Sequence, residues 1–185
     1  MSYFLLFSTT NPSKEVVETF LHESQRDPNA SPAWLLIRTR SQPIPSHATS
    51  LPIDDDFASD FAGATTDEMG AFFLSRISSA PSWLSPDTFV VLDERSARDG
   101  RTAIVLFREE RMPAGVEEEE WDDEKVERLW RTWRVPMATA FGVTGQLAVK
   151  PGLVVKIFER EGADAEGVFH WKAAERDVEV EEKEG

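Results

Sequence analysis

The spacing of hydrophobic positions changes several times along this chain, and each change marks an element. Asn11-Pro12 is a helix-start signal, because asparagine caps free amides and proline has no amide to lose at the first helical position. Val16, Val17, Phe20 and Leu21 then share one face, which predicts a helix over residues 12–24. Ala33-Trp34-Leu35-Leu36-Ile37-Arg38-Thr39 reads as a strand buried on both faces. Residues 41–52 form a proline-rich loop, and Asp54-Asp55-Asp56-Phe57 with Phe61 suggest a short helix after it. Met69, Phe72, Phe73 and Ile77 share a face of a helix over residues 66–78, with Thr66 as its cap.

Pro81 and Pro86 bracket a further loop. Phe89-Val90-Val91-Leu92-Asp93 and Thr102-Ala103-Ile104-Val105-Leu106-Phe107 are the clearest strands. The polar turn between them, residues 94–101 with Asp99-Gly100, is short, which favours an antiparallel hairpin. Val126, Leu129, Trp130 and Trp133 follow the i, i+3, i+4, i+7 spacing of a helix, with Asp122, Asp123 and Glu124 before it and Arg128 and Arg131 toward its end. Trp133-Arg134-Val135 leaves that helix as a short strand closed by Pro136. Residues 137–150 fit neither pattern, and Gly142-Val143-Thr144-Gly145 reads there as a turn or helix break. Residues 151–161 lean to a helix, with Pro151 before and Gly162 after it. Gly167-Val168-Phe169-His170-Trp171 reads as a last short strand.

These elements predict an α+β or mixed α/β fold. The sheet is small and mainly antiparallel or mixed, and three or four helices pack mostly on one face of it. Strand order does not follow from the sequence. At 185 residues and 41% hydrophobic the chain supplies one core of ordinary size, so a single domain is expected over residues 1–172. Tyr3-Phe4-Leu5-Leu6-Phe7 is too short for a signal-peptide core or a membrane span, which points to a cytoplasmic or nuclear protein.

Charge is concentrated rather than spread. Of the formal net charge of -14, residues 109–124 contribute -8, from nine carboxylates against Arg111, and residues 175–185 contribute -4. The first block reads as an acidic insertion and residues 173–185 as an acidic, disordered tail. A solvated loop and tail is the plain reading. The functional reading is that Glu117, Glu118, Glu119, Glu120, Asp122 and Asp123 attract a basic protein partner over a distance that salt would shorten. Direct binding to nucleic acid is disfavoured, because neutralising phosphates needs a surplus of Lys and Arg.

Several stretches resemble an uncharacterised, mainly bacterial family of soluble domains of unknown function. They are Leu35-Leu36-Ile37-Arg38-Thr39 with the Asp-rich segment after it, Phe89-Val90-Val91-Leu92-Asp93, Trp133-Arg134-Val135-Pro136, and Glu166-Gly167-Val168-Phe169-His170-Trp171. Family members tend to end an early strand in Arg-Thr, to carry a late Phe-Arg-Val-Val-Pro strand and to close on an acidic-Gly-Val-Phe-Arg-Gly turn. The resemblance spans roughly residues 34–172. This chain departs from it at Gln146-Leu147-Ala148-Val149, where the family tends to have an Asn-rich run, and in its acidic insertion. The resemblance implies one domain and brings no chemistry.

The residues themselves narrow the chemistry. Without cysteine there are no disulfides, thiolate metal sites or cysteine nucleophiles. His22, His47 and His170 lie in no nucleophile signature, and neither G-x-S-x-G nor a phosphate-cradling glycine motif occurs, so no cofactor is indicated. Asp54, Asp56 and Asp60 offer oxygen ligands but lack the calcium loop's glycine and distal glutamate. Two candidates survive. Asp93 and Glu94 stand at the carboxyl end of a buried strand, where α/β sheets place sites, and convergence with Asp54-Asp55-Asp56 would let paired carboxylates share a proton for acid–base work. Arg95, Arg98 and Arg101 put three guanidinium groups in one turn, able to hold an anionic ligand or to be covered by the chain's own Glu117–Glu120 run. The plain alternative is an exposed hairpin turn. The leading expectation is a non-catalytic interaction module with acidic and Arg-rich surfaces. A small enzyme or anionic-ligand-binding domain, and an acidic decoy of a nucleic-acid-binding protein, are the alternatives. Oligomeric state does not follow from the sequence.

Overall fold

The computed structural model describes residues 2–11, 14–26, 31–54, 58–78, 80–111 and 126–171. The chain is an α+β protein built on one five-stranded mixed sheet. Its elements, in chain order, are β1 (Tyr3–Ser8), α1 (Lys14–Glu23), β2 (Trp34–Leu36), α2 (Thr66–Ile77), β3 (Leu84–Leu92), α3 (Glu94–Asp99), β4 (Thr102–Arg111), β5 (Glu127–Pro136), α4 (Met137–Val149) and α5 (Pro151–Glu161). Across the sheet the order is β2-β1-β3-β4-β5. β1 pairs in parallel with both β2 and β3, whereas β4 and β5 are antiparallel to their neighbours.

Both faces of the sheet are covered, which explains why its central strands are apolar without alternation. Phe4 and Leu6 of β1, Val90 and Leu92 of β3, Val105 of β4, and Trp133 and Val135 of β5 pack under α1, α4 and α5. Leu5 and Phe7, Phe89 and Val91, and Leu106 point the other way, under α2. The apolar run at residues 3–7, expected only to be too short for a signal or a span, is therefore an inner strand of the sheet, between β2 and β3.

Other expectations are corrected by pairing partners that the local pattern does not contain. The helix expected through Val126, Leu129, Trp130 and Trp133 is strand β5, paired residue for residue with β4 from Thr102↔Pro136 to Arg111↔Glu127. The short strand expected at Trp133-Arg134-Val135 is its final part. Glu109, Glu110 and Arg111, assigned to the acidic insertion, complete β4. Pro86 lies inside β3 rather than in a loop. Between Tyr3↔Leu84 and Leu5↔Phe89 the register with β1 shifts, so Pro86 occupies an irregularity where proline costs no ladder bond.

Of residues 137–150, left open by the sequence, Met137–Val149 form α4, and Gly142 and Gly145 lie in its interior. The helix at residues 66–78 is α2, but Thr65 caps it. Its hydroxyl accepts from the Glu68 amide, and Glu68 reaches back to the Thr65 amide at 2.8 Å. Gly167 to Trp171 form no strand. The Phe169 amide donates to the Arg134 carbonyl at 2.8 Å while Val168 and Trp171 are buried. Phe61 sits fully buried in a turn, and Asp55, Asp56 and Phe57 lie outside the described residues. No helix among the described residues is long and apolar enough to cross a membrane.

Candidate functional site

The carboxyl ends of β1, β2 and β3 lie at the same end of the sheet, where open α/β sheets hold ligands. Here the chain itself fills that end. The Ser8 hydroxyl donates to the carbonyls of Thr10 and Leu92, the Ser59 hydroxyl donates to the Ser8 carbonyl at 2.5 Å, and the Gly63 amide donates to Thr9.

Asp93 follows β3 directly and caps α3. Its Oδ1 accepts from the Ser96 amide and hydroxyl, both at 2.9 Å, and from Arg134 Nη1 at 3.1 Å, while Arg134 Nη2 bonds Oδ2. Arg134 Nη1 also donates to the Thr102 hydroxyl at 3.2 Å, which donates in turn to Asp99 Oδ2 at 2.8 Å. Asp99 Oδ1 accepts the amides of Arg101 and Thr102. Arg95 closes the chain of contacts. It reaches Asp99 at 3.4 Å, the Glu166 carbonyl at 2.6 Å and the Glu166 carboxylate at 3.3 Å.

This network gives Asp93 a guanidinium and two Ser96 donors as partners, with no second carboxylate among its hydrogen bonds within the described residues. Burial pushes the Asp93 carboxyl up, but the Arg134 guanidinium and the two Ser96 bonds outweigh it and hold the group below the usual carboxylate range. A carboxylate shared with a second one would move the other way. Asp54 instead pairs with Arg38 at 3.7 Å, so each carboxylate has its own guanidinium. Asp99 is held low in the same manner: burial raises it, and the Arg101 amide, Thr102 and Arg95 more than offset that. Of the predicted arginines, Arg95 is committed to Asp99 and Glu166, while Arg98 and Arg101 are exposed on and just after α3, as is Glu94.

The opposite end of the sheet carries groups that no motif flagged. β3 pairs with β4 only from Thr88 to Val91, so beyond Phe107 the β4–β5 pair continues as a two-stranded ribbon. Charges of opposite sign face each other along it. Arg128 meets Glu110 at 3.0 Å, Glu109 meets Arg131 at 2.6 Å and Arg111 at 2.8 Å, and Glu159 of α5 meets Arg131 at 3.0 Å and Arg111 at 3.4 Å. Burial raises Glu109, and its two arginines outweigh that and lower it.

Where β3 diverges from β4, a cavity of about 340 Å³ opens between Asp87, Phe107, Arg108, Glu110 and the start of α5 at Gly152. Burial and then Glu110 push the Asp87 carboxyl up, and Arg108 offsets this in part. A raised folded-state value means that ionised Asp87 opposes folding. Its stabilising contribution is complete below the ordinary carboxylate value of about 3.9 and is lost as pH rises through the higher folded value. Asp87→Asn is therefore expected to raise the melting temperature at pH 7 by on the order of 1–2 °C, a small gain because water still screens a half-exposed group. The gain should vanish below about pH 4. A melting temperature at pH 7 equal to or below that of the parent contradicts it.

His22 pairs with neighbouring Glu23, His47 with neighbouring Ser46, and His170 with Asp164, in three separate parts of the chain. Among the described residues no three His, Asp or Glu side chains are grouped to hold a metal ion. Glu117, Glu118, Glu119, Glu120, Asp122 and Asp123, and the tail at residues 173–185, lie outside the described residues. Set against family models, curated proteins and solved structures, the chain matches none.

Proposed function

We propose that this protein is a non-catalytic interaction module that engages a basic protein partner from the tip of the β4–β5 ribbon. The observation that carries the reading is the ribbon itself. Arg111 and Glu127 are its last paired residues, so the acidic run Glu117–Glu120 with Asp122 and Asp123 is tethered there at both ends. Thr102, beside α3, is nine residues back along β4, roughly 30 Å at strand rise. The acidic run and the Arg95–Arg101 turn are thus anchored at opposite ends of the molecule. This supports two separate charged surfaces rather than a loop folded over its own arginines.

The Glu109–Arg111–Arg131–Glu159 contacts neutralise the ribbon's base, leaving the excess negative charge to the segment beyond it. A charge block attracts basic surfaces at long range, with a reach set by the Debye length, about 8 Å at physiological salt. The test is affinity capture from lysate at low and at moderate salt, comparing the full chain with a variant lacking residues 115–120 and 175–185. Partners that bind the full chain, weaken with salt and are absent from the folded variant are the expected result. Partners that bind both proteins equally, or full-chain binding that salt does not weaken, overturn the proposal.

A further inference from the structure

We propose that the cavity where β3 diverges from β4 binds a free α-amino acid with an apolar side chain, its carboxylate on Arg108 and the Gly152 amide and its ammonium on Asp87. The cavity holds about 340 Å³, the lower end of the range for small-ligand sites. Phe107 and Val155 give its wall an apolar part, and Asp87, Arg108, Glu109 and Glu110 give it charge.

Those four charges are not equivalent. Glu109 already meets Arg111 and Arg131, and Glu110 meets Arg128. Asp87 and Arg108 make no hydrogen bond or salt bridge among the described residues, and Arg108 acts on Asp87 only by attraction across the gap. They flank Thr88↔Phe107, the outermost pair of β3 with β4. The register thus brings a carboxylate and a guanidinium to one cavity and leaves them too far apart to bond each other. Burial and then Glu110 push the Asp87 carboxyl up, and Arg108 offsets only part of that, so Asp87 is a carboxylate short of positive charge. Between the two flanking residues, Thr88 is 1% exposed, and its hydroxyl has no hydrogen-bond partner among the described residues. Alternation along β3 turns it to the sheet face of Val90 and Phe107, the one α5 covers. A buried hydroxyl without a partner beside a cavity is a second sign that a polar group belongs there.

The helix on the far wall adds a donor. α5 begins at Pro151, with no side chain capping it and no carboxylate in its first turn. The amides of Leu153 and Val154 go to the Lys150 carbonyl, which leaves the Gly152 amide without a backbone partner among the described residues. A Cβ on Gly152 would meet nothing within 4 Å, so space is open beside that amide. An uncapped helix start favours a carboxylate, and so does a guanidinium. A ligand with one charge would satisfy one side of the cavity and leave the other. An α-amino acid carries both charges on one carbon, adds no net charge, and sets its side chain against Phe107 and Val155. The acidic run beyond Arg111 takes no part, so capture of a basic partner and binding of an amino acid succeed or fail separately.

Titration of the full chain with L-leucine, followed by calorimetry and amide NMR, tests this. A Kd of about 1 mM or tighter is expected, with the Gly152 amide among the shifted resonances. N-acetyl-L-leucine, which lacks the ammonium, and isoamylamine, which lacks the carboxylate, should each bind at least about tenfold more weakly. L-leucine should lose at least about tenfold in affinity for Asp87→Asn and for Arg108→Gln. Asp87→Asn is expected to be more stable than the parent, so weaker binding there reports on the site and not on folding. No binding of L-leucine by the parent at about 10 mM overturns the inference. So does either single-charge analogue binding as tightly as L-leucine, or binding that both variants leave unchanged.

Discussion

Replacing Arg134 by methionine is expected to lower the unfolding free energy at pH 7 by about 3 kcal/mol, the low end for breaking a buried ion pair. The low end applies because the two side chains keep 15% and 25% exposure. Methionine fills much of the volume but leaves Asp93 with only its Ser96 bonds and removes the donor that links β5 to Thr102. The pH dependence separates charge from packing. Asp93 sits below its ordinary value in the folded protein, so the stability it contributes is present above about pH 3.9 and is lost as pH falls through the lower folded value. The difference between parent and variant should accordingly shrink on acidification. Asp93→Asn, which keeps an oxygen for the Ser96 amide, should cost less than Arg134→Met. The double variant should cost less than the two together, since each single change strands the other's partner. Urea unfolding of the four proteins at pH 7 and near pH 3.5 measures all of this. A cost for Arg134→Met below about 0.5 kcal/mol, the size of an ordinary surface change, would show that the pair does not hold β3 to β5.

That pair also shows how far the sequence could be read. Asp93 stands where the sequence put it, at the end of a buried strand, because Phe89 to Leu92 and Ala103 to Phe107 are apolar on both faces, whereas Arg95, expected in a polar turn, lies in helix α3, which Asp93 caps and Gly100 ends. Their role was not legible, because it is set by Arg134, forty-one residues further on, and only the β4–β5 register brings the two together. α2 and α5 were readable from their own apolar faces. β5 was not: its residues space equally well for a helix, and what decides the matter is ten consecutive partners on β4. β1 failed in a different way. Its short unalternating apolar run is the pattern of a strand buried on both sides, the same that marked β2 and β3, but at residues 3–7 it was weighed only against a signal or a membrane span. Glu109 and Glu110 looked like part of a solvated acidic block, yet each has an arginine from the facing strand.

Gly70→Ala is the change for which local propensity and packing predict opposite signs. Gly70 lies in the interior of α2, where alanine alone would stabilise the helix by about 1 kcal/mol. A Cβ there would stand 2.7 Å from Cε2 and 3.1 Å from Cδ1 of Trp130. The indole has little room to retreat. It meets Phe89 edge-on at 5.2 Å and Phe73 edge-on at 5.9 Å, and its backbone is paired to Arg108 of β4. Overpacking a tight site costs about 1–3 kcal/mol, and each aromatic contact given up adds about 0.5–1.5 kcal/mol. The expected outcome is net destabilisation of about 2 kcal/mol with a changed near-ultraviolet circular dichroism signal, relieved when Trp130 is shortened to leucine in the same chain. Stabilisation by Gly70→Ala would mean instead that the ring swings clear of α2.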